Sequence, residues 1–299
     1  QTPIDKNVWL FSATMPNEVA RIARTYMNDP LEVSIGHKNQ SNENIEHIFY
    51  AVKERDRYDA VKRLIDFNPS IYGLIFCRTK NETATVAMKL ARDGYNAEPL
   101  HGDLTQAMRD RVMDRFRSKE LQILVATDVA ARGLDINNIT HVINYNLPDD
   151  IENYTHRSGR TGRAGKTGLS MVIITKSEQR KIKSIEKMIQ KEFVKKEIPQ
   201  GMDICEVQLR ALAHKIHETE INHKIDNYLE EINALFQNVS KEDLIKKFFS
   251  VEFTRFYNYY EKAKNLNVPK GNDNFSEINA NDNSARFFIN IGKKDGYDW

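Results

Sequence analysis

The sequence predicts a parallel, doubly wound α/β domain with a helical region behind it, and three observations predict it. Short apolar runs alternate with amphipathic stretches from about residue 45 to 195. Several of those runs are continuous in Ile, Val and Leu, as in strands covered on both faces. Polar clusters fall just after the runs, where open α/β sheets collect their ligands. Strand–helix alternation over ~150 residues builds βαβ units rather than a sandwich.

Taken in order, "NVWLFSAT" (Asn7–Thr14) reads as a buried strand, followed by a helix starting near Asn17. The polar stretch Gly36–Asn44 is a linker. The predicted strands are Ile45–Val52, Ile71–Cys77, Ala97–Leu100, Leu121–Ala126, His141–Asn144 and Leu169–Thr175. Between them lie predicted helices Arg55–Asp66, Lys80–Asp93, Thr105–Ser118, Asp150–Ser158 and Ser177–Lys191. After Pro199 the pattern changes: Gly and Val become scarce, and residues 204–264 are helix-like. Ser240 opens a Ser-x-x-Asp capping pattern. Leu244, Phe248, Val251, Phe256 and Tyr259 or Tyr260 then recur at helical spacing, as a core or partner-facing stripe. Asn267–Ser284 is a second linker, rich in Asn and Asp. "ARFFINIGKKDGYDW" (Ala285–Trp299) reads as a strand and turn with nothing to pair against, and a lone strand is not stable. With Gln rather than Met at position 1, the sequence reads as a piece of a longer protein.

Composition sets outer bounds. The 299 residues suffice for about two domains; 40% are hydrophobic and 29% charged, as in a globular protein. The formal net charge is only +2, so any basic footprint for nucleic acid must be local. Cys77 and Cys205 show neither CxxC nor Cys/His spacing, which argues against zinc and a disulfide framework and for a reducing, cytoplasmic setting. No apolar run reaches the ~20 residues that span a bilayer, and no membrane partner is expected.

The stretch "YTHRSGRTGRAGKTG" (Tyr154–Gly168) carries four positive charges, four glycines and no acid. Its tail, Gly165-Lys166-Thr167, imitates a P-loop, but Gly-x4-Gly-Lys-[Ser/Thr] requires Gly at position 160, which is Arg. A helical pattern also precedes it and a strand follows, the reverse of a P-loop's setting. What remains is Arg157, Arg160 and Arg163 at spacing three across a helix end and a glycine-broken turn. Cations at a helix C-terminus offset the dipole, which accounts for one or two of them. Three without an acid expect an anion, and guanidinium groups on such a turn suit a phosphoryl group.

In context, "HRSGRTGR" (His156–Arg163) resembles motif VI of the DEAD-box RNA helicases. "SAT" (Ser12–Thr14) is similar to their motif III, "LIFCRTK" (Leu74–Lys80) to motif IV, "HGDLTQAMR" (His101–Arg109) to the Gln-x-x-Arg signature and "ATDVAARGLD" (Ala126–Asp135) to motif V. Each is weak alone; five in the family's order are specific, and they cover residues 1 to about 195. The resemblance implies a RecA-like fold of the P-loop NTPase superfamily. Residues 1–36 would end the first RecA-like domain and 37–198 form the second. Arg160 and Arg163 would be catalytic arginine fingers on the ATP γ-phosphate. Asp135 would contact the ribose, and Ser12, Thr14, His156 and Arg157 would couple the two domains. Arg78, Gly102, Gln106, Arg109 and Thr127, supported by Asp128, would hold RNA by its backbone, with little sequence preference. The cofactor implied is ATP with Mg²⁺, whose P-loop and metal ligands would lie before Gln1, so the fragment alone would not hydrolyse ATP.

Residues 199–265 resemble the helical dimerisation region of the bacterial DeaD-type (cold-shock) subgroup, which implies a possible homodimer. After a 266–284 linker, 285–299 resemble the truncated start of its RRM-like RNA-binding domain. The reaction implied is ATP-driven remodelling of short duplexes in structured RNA, ribosomal or messenger. A superfamily 2 DNA helicase and a non-enzymatic RNA-binding scaffold derived from a helicase are the alternatives. The His-Arg-x-Gly-Arg form of motif VI favours the RNA family over the first.

Overall fold

A computed structural model describes residues 3, 6–11, 15, 17–33, 43–132, 136, 138–163 and 165–268. The chain divides into two compact units, Gln1–Asn267 and Val268–Trp299. The expected RRM-like start at 285–299, most of the second linker, Ser12, Thr14 and Asp135 lie outside the described residues.

After α1 (Asn17–Tyr26) the chain alternates as the periodicity requires. It runs β1 (Ile45–Ala51), α2 (Arg57–Asp66), β2 (Gly73–Phe76), α3 (Lys80–Arg92), β3 (Ala97–Leu100) and α4 (Gln106–Arg117). It continues with β4 (Ile123–Ala126), α5 (Asp128–Ala131), β5 (His141–Asn144), α6 (Glu152–Ser158), β6 (Gly168–Ile174), α7 (Gln179–Ile189) and β7 (Val194–Lys195). Three further helices follow: α8 (Gly201–Glu218), α9 (Asp226–Phe236) and α10 (Lys241–Tyr260). The seven strands form one sheet in the order β3-β4-β2-β5-β6-β1-β7, and every pairing is parallel.

Side chains alternate across this sheet, so one strand feeds two cores. Ile48, Ile75, Val125, Ile143 and Ile173 face the layer of α2 and α3. Leu74, Phe76, Leu124 and Val142 face α4 and α5, and on the same side Phe49, Val172 and Ile174 face α6 and α7. The continuous apolar runs in the sequence are this two-sided burial. Near the carboxyl ends of β5 and β6, the buried guanidinium of Arg57 binds both carboxylate oxygens of Glu54, Glu178 Oε2, and the carbonyls of Tyr145 and Ile173.

One reading of the sequence is corrected and another is narrowed. "NVWLFSAT" is not a buried strand in its described part: residues 6–11 join no ladder, and Trp9 and Phe11 are 77% and 86% exposed. A strand is held by its neighbours, and no described strand lies beside this one. The α10 stripe is not a continuous core face either. Leu244, Phe248, Val251 and Tyr259 are exposed, whereas Tyr260, Phe253 and Phe256 pack on Ile204 and Cys205 of α8. The helix is turned by what α8 and α2 offer, which its own periodicity does not contain.

The helical segment is fastened to α2 mainly by polar contacts. The buried Asp66 carboxylate accepts from the Tyr95 and Tyr260 hydroxyls, and Gln208 Nε2 donates to its backbone carbonyl at 2.5 Å. Arg63 donates to the carbonyls of Pro199 and Lys264. The Asn267 side chain closes the segment by exchanging two hydrogen bonds with the Ile198 backbone, at 2.7 and 3.1 Å. Where α8 starts against the end of α10, a Cβ on Gly201 would lie 2.6 Å from Tyr260 Cβ and 2.8 Å from its carbonyl oxygen. Gly201→Ala is therefore expected to destabilise this junction by about 1–3 kcal/mol, the usual cost of overpacking, read as faster proteolysis within residues 199–267 and a lower melting temperature.

Two buried histidines make the fold acid-sensitive. His47 binds the Tyr154 hydroxyl at 2.6 Å, and its pKa is pushed down to about 4 by burial and then by the Lys191 charge. Burial also brings His141 down to about 4. Both pKa values fall below the unfolded 6.5, so the unfolded chain binds more protons and stability is lost as pH falls from 6.5 towards 4. Unfolding by urea at pH 5 should show a loss of about 2 kcal/mol per histidine relative to pH 7.5. His141→Asn should remove one such increment from that difference.

Candidate functional site

In a parallel sheet all strands end on one edge, and here β3, β4 and β2 end side by side. Each is followed by a helix opened by a threonine. Thr79 Oγ1 accepts from Glu82 N at 3.2 Å, Thr105 from Met108 N at 3.3 Å, and Thr127 from Ala130 N at 3.4 Å. The residue type is dictated by the orphan amides of a helix start, which a β-region hydroxyl satisfies. Thr127, expected to hold RNA, is also the cap of α5.

The residues expected to hold RNA collect on that edge. Arg78 follows β2, Gly102 follows β3, Gln106 and Arg109 lie in the first turn of α4, and Thr127 and Asp128 follow β4. Gly102 is exposed, and a Cβ there would meet nothing within 4 Å, so an anion can approach the main chain. Cross-links fix the loops: Arg109 Nη2 reaches the Ala130 carbonyl at 3.4 Å, and Lys80 Nζ reaches Asp103 Oδ1 at 3.0 Å. Gln106 spends its amide on Asp110 at 2.8 Å, and the Arg78 guanidinium sits 3.2 Å from Asp149. The cations on this edge are already partly balanced.

Beside it, α6 carries the arginine cluster, and its three members have different fates. Arg157 is 1% exposed and points inward. Its Nε and Nη2 bind Asp128 Oδ1 and Oδ2 at 2.5 and 2.7 Å, and its Nη1 binds Asn144 Oδ1 at 3.0 Å and the Asn146 carbonyl at 2.7 Å. Its guanidinium carbon lies 5.0 Å from the centroid of the Phe76 ring. The anion for this arginine is thus inside the fold, on an element 29 residues away. Asp128 is thereby tied, through Arg157, to the strand-end edge. Arg163 folds back, its Nε donating to the Gly159 carbonyl at 2.9 Å, the dipole-offsetting role open to any cation at a helix end. Arg160 is half-buried; burial, then the Arg163 charge, lowers its pKa below the arginine norm. His156 is also half-buried, and burial, Arg132 and Arg160 lower its pKa, so it is neutral at pH 7.

Gly162 is required where it stands: its φ is +65°, and a Cβ would lie 2.6 Å from Ile45 Cγ1. Thr161 beneath it donates to the Ile139 carbonyl at 2.6 Å. Lys166, the false P-loop lysine, is exposed and binds Asn138 Oδ1.

Sequence reasoning missed Asn144, Asn146 and Glu82. Asn146 Oδ1 accepts from Arg78 N at 3.1 Å and its Nδ2 donates to Glu82 Oε1 at 3.2 Å, while its carbonyl accepts from Arg157. A continuous path thus runs from Asp128 through Arg157 and Asn146 to Arg78. The available signal was "HVINYN", an apolar run whose two asparagines are expensive to bury unless bonded.

Comparison with known proteins agrees with this geometry. The helicase conserved C-terminal domain family matches residues 56–165, and a family described as "Probable ATP-dependent RNA helicase, helical domain" matches 204–261. The DEAD-box ATP-dependent RNA helicase CshA of Bacillus cereus is 40% identical over 219 residues, covering 73% of this chain and 42% of that protein. Its Bacillus subtilis namesake is 37% identical over 236 residues, covering 79% and 48%. The chain therefore spans a little under half the length of these relatives. Among solved structures, a DEAD box protein from the hyperthermophile Methanococcus jannaschii matches at 43% identity and TM-score 0.51, covering 64% of this chain and 52% of that one. Dbp5 of S. cerevisiae bound to RNA and ADP BeF3 matches at 28% identity and TM-score 0.63, covering 69% and 56%. On fold, motif order and these relatives together, the chain belongs to the DEAD-box RNA helicases and carries their conserved C-terminal helicase domain.

Proposed function

We propose that the chain supplies the arginine fingers and half of the RNA-backbone face of an ATP-dependent helicase that remodels short duplexes in structured RNA, ribosomal or messenger. One observation carries the reading: a single buried arginine, Arg157, holds α6 with Arg160 and Arg163 and is bonded both to Asp128 and, through Asn146, to Arg78. A change in how α6 is seated is thereby felt at the RNA-facing loops.

The residues suit the proposed substrate. Arg160 and Arg163 repel one another, and a phosphate drawn between them relieves that repulsion while they stabilise charge developing on the transferred phosphoryl group. The sequence holds no Gly-x4-Gly-Lys-[Ser/Thr], so ATP with Mg²⁺ would be bound jointly with another domain. There Asp135 would take the ribose, and Ser12 and Thr14 would join neutral His156 at the contact between domains. On the RNA side, Gly102 leaves room for a phosphate, and Arg78, Gln106, Arg109 and Thr127 offer donors at three adjacent strand ends. None is arranged to read base edges. The exposed Tyr228, Leu235, Phe248 and Val251 support homodimerisation through 199–265.

Three outcomes are expected. The isolated chain turns over no ATP with or without RNA; measurable turnover sinks the reading. In the full-length protein, Arg160→Ala lowers RNA-stimulated kcat by roughly 10³–10⁵, the worth of an arginine finger, while nucleotide-free RNA binding persists. Asp128→Asn strands a buried guanidinium, lowers stability by about 3–5 kcal/mol, and weakens RNA binding along with it; a variant as stable as the wild type would contradict the assigned role.

A further inference from the structure

With a net charge of only +2, the chain keeps its basic footprint local, and one concentration of positive charge lies outside the strand-end loops and the α6 arginine cluster. Lys176–Lys196 holds eight Lys and Arg against three Glu, +5 within 21 residues. This segment follows β6, runs through α7 and leaves by β7. Ile182, Ile185 and Ile189 bury the inner face of α7 against Phe49, Val172 and Tyr154. With that face fixed, helical geometry puts Arg180, Lys183 and Lys187 outward along one stripe, about one cation per 5.4 Å turn.

An ordinary solvated helix intersperses charges of both signs. On α10, Lys246 and Arg255 lie against Asp243 and Glu252 at 3.6 and 3.4 Å. Of the segment's three acids, Glu178 is held by Arg57 at 3.0 Å, Glu186 is held by Lys183 at 3.2 Å and the Phe193 amide at 2.9 Å, and Glu192 is exposed past the end of α7. Among the described residues, Lys176, Arg180, Lys181 and Lys187 are exposed with no carboxylate within 4 Å. Like charges this close together repel, and an external polyanion removes the repulsion.

We infer that the outer face of α7, with Lys176, is a second contact for the RNA phosphate backbone, engaging strand or duplex that flanks the segment held at the ends of β2, β3 and β4. The inference rests on the RNA-binding reading above. Three features favour RNA over an acidic protein. The stripe is lysine-rich, and lysine is depleted in protein interfaces. It has no exposed apolar anchor, because all three isoleucines of α7 face the core. It also starts at the carboxyl edge of β6, the edge that presents the strand-end face. There Arg78 and Lys80 are already paired with Asp149 and Asp103, so that face is a poor source of long-range attraction. Compact ammonium groups on flexible stems grip a backbone whatever its sequence.

The test uses the 299-residue chain and its triple variant Arg180→Gln, Lys181→Gln, Lys187→Gln. Binding to an RNA hairpin with a single-stranded extension is followed by fluorescence anisotropy at several salt concentrations, beside Arg109→Gln as the strand-end control. All three substituted side chains are exposed, so the melting temperature should hold. The variant should bind at least about tenfold more weakly at low salt. Its slope of log K against log salt should fall by roughly 2–3, because each phosphate no longer neutralised removes about 0.7–0.9. An unchanged slope in the triple variant, with Arg109→Gln still weakening binding, overturns this inference and leaves the proposed function standing; an acidic protein as the true partner gives that same result. Absence of RNA binding by the unsubstituted chain overturns both.

Discussion

The site depends on the buried pair of Arg157 with Asp128. A guanidinium that is 1% exposed must have its donors met inside the protein, and Asp128, Asn144 and the Asn146 carbonyl meet them. Such a pair adds little net stability over a packed apolar core, yet removing one partner is costly because it strands a charge. Its effect is positional. It fixes α6 against the ends of β4 and β5, just ahead of the Gly159–Gly162 turn on which Arg160 lies half-buried and Arg163 folds back onto the Gly159 carbonyl. A seven-residue helix could not otherwise be held in register with loops from three other strands.

The sheet order completes the arrangement. Because β4 and β2 lie between β3 and β5, the helix starts after β2, β3 and β4 share one edge with α6 as their neighbour. The helical segment is kept out of the way, fastened to α2 on the opposite layer through Asp66, Arg63 and the Ile198–Asn267 clasp. Neither the strand-end edge nor α7 is covered by it.

Much of this was legible from local chemistry. Ala97–Leu100 and His141–Asn144 keep their predicted bounds, and the Ser240 cap forms with Asp243 N at 3.1 Å, because burial pattern and capping act over a few residues. The arginine cluster was legible as a cluster but not as three roles: no acid nearby in sequence shows that Asp128 waits 29 residues upstream. The two-residue β7 was invisible, since so short a strand exists only because β1 offers an edge. The α10 stripe was legible as facing core or a partner; that only its Phe256 and Tyr260 pack on α8 was not.

The sequence by itself determined the strand–helix alternation, the Ser240 cap, the failed P-loop and the family, all of which rest on spacing within a few turns of chain. Only the tertiary structure decided which arginine is internal, that Asn146 bridges to Arg78, and that Arg180, Lys181 and Lys187 of α7 have no carboxylate beside them. The reason is physical. Whether a charge has a partner is a property of distances across the sheet, set by strand order and by the packing of each helix, and neither is written in any one segment.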